Sequence, residues 1–273
     1  MKLSDNNLVV QNPQAQHPLE LQVHSKVALL SDLAQANFAA NNERHCEWVN
    51  AIPPHDRVAA LCGSGSSLKD TRADIVGDIF ALNGAANYLW ARGLSIPYQV
   101  VLDPNHFIAE YYCEFAETHL AASTAPTAYF ERSGNVMLWQ PDIKWVETAL
   151  VDSPKEFTYI GGGISVGVYA LALAYALGYR TIHCYGYDSS YSGDSYYASG
   201  RGVDDGQLLC TITHDGRDYP TNMNMKEKVT AFMYCAKLLI KEGAEIHVHG
   251  TGLLPDVFNS FYASGRACPH STT

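Results

Sequence analysis

The sequence predicts an α/β protein built on a Rossmann-like, mostly parallel sheet flanked by helices. Short apolar runs alternate along the chain with stretches of helical periodicity, an order typical of βαβ units. Two of these runs end in glycine-rich turns that open a helix, at residues 63–67 and 161–165. Because ligands of parallel sheets bind beyond the carboxyl ends of the strands, we expect the functional site at these turns.

The bulk composition bounds the class of protein. The chain has 273 residues, of which 47% are hydrophobic and 17% charged, enough for one large domain with a substantial core. The net charge of −10, without a basic cluster, disfavours a nucleic-acid partner. No apolar run reaches membrane-spanning length, and residues 1–7 lack the apolar stretch of a secretory signal, so we expect a cytoplasmic protein.

The seven cysteines are scattered and form no C-x-x-C pair, which argues against disulfides and a zinc knuckle.

A proline pair, Pro53-Pro54, divides the sequence into two parts, because proline cannot continue a helix. Residues 1–52 are interpreted as a helical N-terminal segment, and residues 53–273 as the Rossmann-like domain. Segment 187–222 is rich in Gly, Ser, Asp and Tyr and is predicted to be irregular, as lids and binding loops often are.

The elements of the larger domain follow from apolar runs and helical spacing. Strands are predicted at 58–62, 98–102, 127–130, 136–139, 156–160, 181–185 and 245–249. Helices are predicted in a stretch through Ile75, Ile79 and Leu82, and at 106–120, 166–177 and 223–241.

The first glycine turn has the composition of a phosphate-binding loop. Glycines let a phosphate approach the backbone, and the free N–H groups and dipole of a helix start hold its charge. The residues expected to do so are Gly63, Gly65, Ser66 and Ser67. The turn lacks the third glycine of G-x-G-x-x-G and the Gly-Lys-Ser/Thr of a Walker loop, so a purely structural turn stays open.

The second glycine turn, 161–165, has the same setting between a strand and a helix, with Ser165 as a candidate N-cap. Gly162, Gly163 and Ser165 are expected to complete the nucleotide site. The small, apolar helix that follows offers the alternative that close packing alone requires these glycines.

Two aspartates follow predicted strands, Asp103 and Asp188. A carboxylate at that position can orient a ribose, hold Mg²⁺ or act as a base, and it can equally cap a turn. Two histidines, His214 and His249, lie in or beside predicted loops and are candidates for proton transfer because imidazole titrates near neutrality.

Four blocks of the chain resemble the MptE-like family, named after 6-hydroxymethyl-dihydropterin pyrophosphokinase. The blocks are residues 58–70, 81–84 with 100–104, 161–191, and 249–255. Ser66 stands where that family usually has proline, and segment 192–222 matches no block. The two glycine turns are also similar to those of bacterial sialyltransferases and motility-factor glycosyltransferases, which hold a cytidine monophosphate sugar.

The MptE-like resemblance implies a transferase that binds ATP with Mg²⁺ and moves diphosphate to a small acceptor. Asn83 would join the nucleotide site, Asp103 or Asp188 would hold the metal, and Asp188, His214 and His249 are the candidate catalytic groups. A glycosyltransferase that uses a nucleotide sugar is the alternative, and a non-catalytic nucleotide-binding module is the third. The acceptor and any homo-oligomeric state stay open.

Overall fold

The computed structural model describes residues 32–132, 134–143, 157–193, 197–199 and 209–263. Most of the predicted N-terminal segment, residues 1–31, lies outside these ranges, as do parts of segment 192–222. None of the described helices is long and apolar enough to cross a membrane.

A parallel sheet forms the centre of the molecule and confirms the predicted fold class. The strands are β1 (Glu47–Trp48), β2 (His55–Cys62), β3 (Asp78–Leu82), β4 (Ile96–Val101), β5 (Ala116–Ala122), β6 (Val136–Pro141), β7 (Tyr159–Ile160), β8 (Tyr179–Tyr185), β9 (Leu209–His214), β10 (Arg217–Asn222) and β11 (Glu245–Val248). The sheet order is β1-β6-β5-β4-β3-β2-β8-β11, with β7 paired to β6. Every pairing in this sheet is parallel.

Helices cover both faces of the sheet. They are α1 (Asp32–Asn42), α2 (Leu68–Thr71), α3 (Ala85–Trp90), α4 (Thr127–Phe130), α5 (Val166–Ala176), α6 (Met223–Lys241) and α7 (Leu253–Ala263), with 3-10 turns at Arg72–Asp74 and His106–Tyr111. Residues 168–176 of α5 are all buried, as expected of a helix that is apolar on every side. It packs between the sheet and α6.

The chain order reverses between β2 and β8. From β2 the strands run outward in sequence to β6, whereas β8 and β11 lie on the other side of β2. Such a reversal leaves a crevice at the carboxyl ends of the two neighbouring strands, which is where α/β proteins bind ligands.

Two predicted helices are wrong in part, because each contains a buried strand. Residues 78–82 form β3 instead of helix, since Gly77 turns the chain with φ of +100° and Asp78 then pairs with β2. A side chain at Gly77 would also collide with the backbone of Val58. Residues 106–120 divide into a 3-10 turn and β5, whose last four residues are buried.

The predicted strand 127–130 is wrong as well. These residues form the short helix α4, which starts directly after Pro126. Proline has a fixed φ and favours a helix start over a continuing strand.

The segment predicted to be irregular contains a regular hairpin. Strands β9 and β10 pair antiparallel around Asp215 and Gly216, whose φ values are +48° and +75°. Asp-Gly with both φ values positive is typical of a two-residue hairpin turn, a signal that the sequence interpretation missed.

Helix α1 is tied to the sheet by two buried asparagines. The Asn37 amide donates to the carbonyls of Pro104 and Thr124, at 2.9 and 3.0 Å. The Asn41 amide donates to the carbonyls of Ser123 and Ala125, at 2.9 and 2.8 Å. The described part of the N-terminal segment therefore supports the loops that follow β4 and β5.

Replacing Asn41 by Ala should destabilise the whole fold. The change leaves two buried carbonyls without donors, which costs about 2–4 kcal/mol of unfolding free energy. Urea unfolding followed by circular dichroism checks this, with Gln35→Ala at an exposed position of α1 as the control. A separate early transition, with the main one unchanged, would contradict it.

Candidate functional site

A cavity of about 750 Å³ opens at the carboxyl ends of β8, β2, β3 and β4. Its volume lies within the range of small-molecule sites. The cavity is bordered by the loops after these strands, by the start of α5, and by α3 with the 3-10 turn His106–Tyr111. The exposed lining residues of α3 and the 3-10 turn form its outer rim. The cavity therefore occupies the crevice that the strand order predicts.

The Asp188 carboxylate joins the turn after β2 to the turn after β8. One oxygen accepts from the Ser67 N–H at 2.8 Å and the Ser66 hydroxyl at 3.0 Å, and the other accepts from the Ser67 hydroxyl at 2.5 Å. Its backbone carbonyl also accepts from the Leu254 N–H at the start of α7. We call this cluster of Asp188 with Ser66 and Ser67 the aspartate clasp.

Burial dominates the electrostatics of the clasp. It raises the pKa of the Asp188 carboxyl above its ordinary value, and the hydrogen bonds from Ser67 and Ser66 act in the opposite direction. The side chain is 3% exposed, so the carboxylate touches the cavity but directs its oxygens to protein donors.

The glycines of the first turn are required by contact between the two turns. A Cβ at Gly63 would lie 2.5 Å from the Gly186 carbonyl oxygen, and a Cβ at Gly65 would lie 2.7 Å from the Asp188 carboxylate. The N–H groups of Gly63 and Gly65 donate to the carbonyls of Tyr185 and Gly186. These two N–H groups, and that of Ser67, are thus engaged within the protein, whereas the N–H of Ser64 has no partner among the described residues.

The start of α5 presents backbone donors to the cavity. Ser165, Val166 and Gly167 border it, and Ser165 makes no side-chain cap. The N–H groups of Val166 and Gly167 have no partner in the described part of the chain, as is usual at a helix start.

The glycines just before α5 do not border the cavity. A Cβ at Gly162 would lie 2.3 Å from the ring of Tyr169, and one at Gly163 would lie 3.1 Å from Ala231. Close packing against protein side chains therefore accounts for Gly162 and Gly163, which is the alternative to phosphate binding that the sequence left open.

Asn83 combines a rare backbone conformation with an unsatisfied side chain. It follows β3 with φ of +49°, borders the cavity, and its buried Oδ1 has no hydrogen-bond partner in the described structure. Asparagine tolerates this conformation better than most residues. A buried amide oxygen without a partner is unusual in a folded protein, and a bound ligand can supply the missing donor.

A buried amide, Gln99, fixes the position of Asn83. Its Nε2 donates to the carbonyls of Asn83 at 2.9 Å and Tyr111 at 2.6 Å. Its Oε1 accepts from the Cys113 N–H and the Tyr129 hydroxyl, at 2.9 and 3.0 Å. Asn83 and Tyr111, which both border the cavity, are therefore held in position by the same side chain.

Asp103 borders the cavity at the end of β4. Its Oδ1 accepts from the N–H of Asn105 at 2.9 Å and from the Asn105 side-chain amide at 2.5 Å. Within the described residues, no group of three or more His, Cys, Asp or Glu side chains is arranged to hold a metal ion.

Neither predicted histidine borders the cavity. His214 Nε2 lies 2.8 Å from the Ser260 hydroxyl, and His249 Nε2 lies 2.8 Å from Nδ1 of His183. His249 also stacks on Tyr185, with ring centroids 4.5 Å apart. Burial, followed by the neighbouring His247, lowers the pKa of His183 to about 4, and the same causes lower the pKa of His249.

The structure thus brings together half of the predicted site residues. Those that border the cavity are Gly63, Gly65, Asn83, Asp103, Ser165 and Asp188. Those that do not are Ser66, Ser67, Gly162, Gly163, His214 and His249.

The sequence interpretation missed the residues of the outer rim and of α6. They are Asn87, Tyr88, Arg92, Phe107, Glu110, Tyr111 and Lys228. A signal was available for Phe107, Glu110 and Tyr111, which follow the predicted strand 98–102, since such segments line the ligand crevice. Asn87, Tyr88 and Arg92 gave no such signal, because β3 was predicted as helix. Lys228 gives no such signal, because it reaches the cavity from the middle of a long amphipathic helix.

Comparison with known proteins supports the fold. The MAf glycosyltransferase from Magnetospirillum magneticum AMB-1 has a similar structure, with a TM-score of 0.61 and 16% sequence identity over 86% of this chain. This chain spans 41% of the length of that structure. The sialyltransferase CstII from Campylobacter jejuni in complex with cytidine-5'-monophosphate matches more weakly, with a TM-score of 0.42 and 18% identity over 74% of this chain and 87% of that one.

No protein-family model and no curated protein matches the chain. The resemblance to the MptE-like family therefore gains no support from a family match.

Replacing Gly63 by Ala should destabilise the protein by about 1–3 kcal/mol, because the new Cβ forces the turns after β2 and β8 apart. Chemical unfolding measures the change. Gly134→Ala is the matched control, since a Cβ there meets nothing within 4 Å. Equal stability of the two variants would show that the turns are not in close contact.

Stability should fall as the pH falls from about 6.5 toward 4. His183 and His249 have lowered pKa values in the folded protein and therefore bind protons less readily there than in the unfolded chain, where the ordinary pKa is about 6.5. His119, buried against Tyr129 and with its pKa lowered to about 4, contributes in the same direction.

The variant His183→Gln should lose less stability over this range than the wild type. Melting temperatures at about pH 7 and about pH 4.5 measure the difference, with exposed His45→Gln as the control. An identical pH dependence in wild type and His183→Gln would contradict the assignment.

Proposed function

We propose that this protein is a glycosyltransferase that transfers a sugar from a cytidine-type nucleotide donor to a hydroxyl acceptor. The observation that carries the proposal is the unsatisfied Asn83 Oδ1 in a cavity that the helix start at Val166 also borders. An amide acceptor in the same cavity as backbone N–H donors suits a nucleotide, which has hydroxyl or amino donors and an anionic phosphate.

This function replaces diphosphate transfer as the leading hypothesis. Both oxygens of Asp188 already accept hydrogen bonds from protein donors, and no group of three or more His, Cys, Asp or Glu side chains in the described ranges is arranged to hold a metal ion beside Asp103. The solved MAf glycosyltransferase shares the fold over most of this chain. Gly65 and Ser165 border the cavity, and the likeness of the sequence around them to the glycine turns of sialyltransferases favours cytidine monophosphate as the nucleotide.

The donor phosphate would lie at the start of α5. The N–H groups of Val166 and Gly167 and the dipole of an 11-residue helix stabilise negative charge there. Lys228 borders the same cavity from α6 and adds a positive charge. These groups would stabilise the phosphate as it leaves the sugar, when its negative charge increases.

Asp103 is the proposed proton acceptor. Its Oδ1 is oriented by Asn105, and its Oδ2 has no hydrogen-bond partner among the described residues. In the reaction, the acceptor oxygen bonds to the anomeric carbon, the bond from that carbon to the phosphate oxygen breaks, and the acceptor proton passes to the carboxylate. Asp188 would act differently, since its clasp positions the turns that enclose the donor.

The test is nucleotide binding by the wild type and by Asn83→Gly. Glycine removes the side chain but keeps the positive φ without strain, so the fold should be unchanged. CMP should raise the wild-type melting temperature, and Asn83→Gly should bind CMP about tenfold more weakly, as expected for one lost buried hydrogen bond. Asn50→Gly, at an exposed position outside the cavity, is the control.

Other nucleotides separate the alternatives. ATP stabilisation that requires Mg²⁺, without a response to CMP, would restore the pyrophosphokinase hypothesis. Stabilisation by CMP, with no turnover of any cytidine sugar in wild type or Asp103→Asn, would indicate a non-catalytic binding module. Absence of any response to CMP, CDP, UDP or ATP would refute a nucleotide site here.

A further inference from the structure

The outer rim of the cavity is aromatic and open to solvent. Phe107, which is 46% exposed, borders the cavity with Tyr88 and Tyr111. Arg92 and Glu110 lie on the same rim. We call these five residues the aromatic rim. An exposed phenylalanine at a cavity mouth is a surface that a ligand can cover with a gain in free energy.

The rim is held in place before any ligand arrives. The Tyr111 carbonyl accepts from Gln99 Nε2 at 2.6 Å and from Asn87 Nδ2 at 3.0 Å. The Tyr111 ring packs on Gly84, where an added Cβ would lie 3.1 Å away, and meets Phe107 edge to face with centroids 6.0 Å apart. A ligand that binds at the rim therefore orders few additional side chains, and the small loss of conformational entropy favours affinity.

Two charged groups lie on the same rim as the exposed Phe107 ring. The Arg92 guanidinium lies over the Tyr88 ring, 3.7 Å from its centroid, and donates to the Tyr88 carbonyl, which fixes its direction. The Glu110 carboxylate is exposed and has no partner among the described side chains. A rim that carries an apolar ring, a fixed donor and a carboxylate acceptor suits a pyranose, whose C–H groups and hydroxyls lie on different surfaces.

We propose that the aromatic rim is the acceptor subsite and that the acceptor is a carbohydrate, bound with one pyranose face on Phe107. The inference rests on the proposed function, because a glycosyltransferase must hold its acceptor in the cavity that holds its donor. Asn83 and the start of α5 suit the nucleotide, because they supply the amide acceptor and the backbone donors. The exposed rim suits a substrate that extends into solvent.

The position of the rim also fits the proposed chemistry. Asp103 follows β4, and the 3-10 turn with Phe107 begins three residues later. Phe107 and Asp103 border the same cavity, so the proposed acceptor subsite and the proposed proton acceptor share one site.

Saturation-transfer NMR with a panel of methyl pyranosides tests this subsite, in the presence and absence of CMP. The wild type should transfer saturation to C–H protons of one pyranoside face. Phe107→Ala should weaken that binding about fivefold, the effect of losing the apolar contact of one ring, and Phe107→Trp should retain it. Phe261→Ala, at a similarly exposed aromatic outside the cavity, is the control.

CMP affinity, measured on the same variants, separates this inference from the proposed function. Phe107→Ala should leave CMP affinity unchanged. Loss of CMP binding in Phe107→Ala would assign the rim to the nucleobase and overturn the inference. Absence of pyranoside binding to the wild type, with or without CMP, would also overturn it. The wild type could also bind a pyranoside in a Phe107-dependent way and fail to bind CMP. That result would support the subsite and refute the proposed donor.

Discussion

The site depends on one buried interaction, the hydrogen bonds that the Asp188 carboxylate accepts from Ser66 and Ser67. A carboxylate that is 3% exposed must accept hydrogen bonds from protein donors. Burying it without hydrogen bonds would cost more free energy than the packing of any single side chain provides. The turns after β2 and β8 are therefore fixed against each other. The start of α7 joins them through the Asp188 carbonyl, so three loops share one anchor.

Close approach of two chain segments explains the glycines that looked like a phosphate loop. Sequence alone does not tell whether a glycine makes room for a ligand or for another part of the backbone. At Gly63 the neighbour is the Gly186 carbonyl, and at Gly65 it is also the Asp188 carboxylate. The backbone donors that remain for a ligand lie at Ser64 and at the start of α5.

The sheet could be predicted because buried parallel strands are continuous apolar runs. Strands β3 and β5 were missed since their apolar residues also fit a helical period, and only pairing with β2 and β4 decides between the two. Asp103 could be predicted from its position after a predicted strand. Asn83 was implied only by the MptE-like resemblance, because the strand before it was predicted as helix. Lys228 could not be predicted, because its approach to the cavity depends on tertiary packing. The environments of His214 and His249, set by Ser260 and His183, are likewise tertiary.

The structure allows few substitutions of Gln99. All four of its hydrogen-bonding positions are occupied, two as donor and two as acceptor, inside a fully buried space. Glutamate lacks the donors, and leucine lacks both donors and acceptors. A substitution at residue 99 during evolution would therefore need simultaneous changes around Asn83, Tyr111 and Tyr129. Substitutions are easier on the exposed surface of the rim, where exchanging Phe107 or Glu110 would leave the hydrogen bonds of Gln99 intact, so the proposed acceptor subsite is free to diversify.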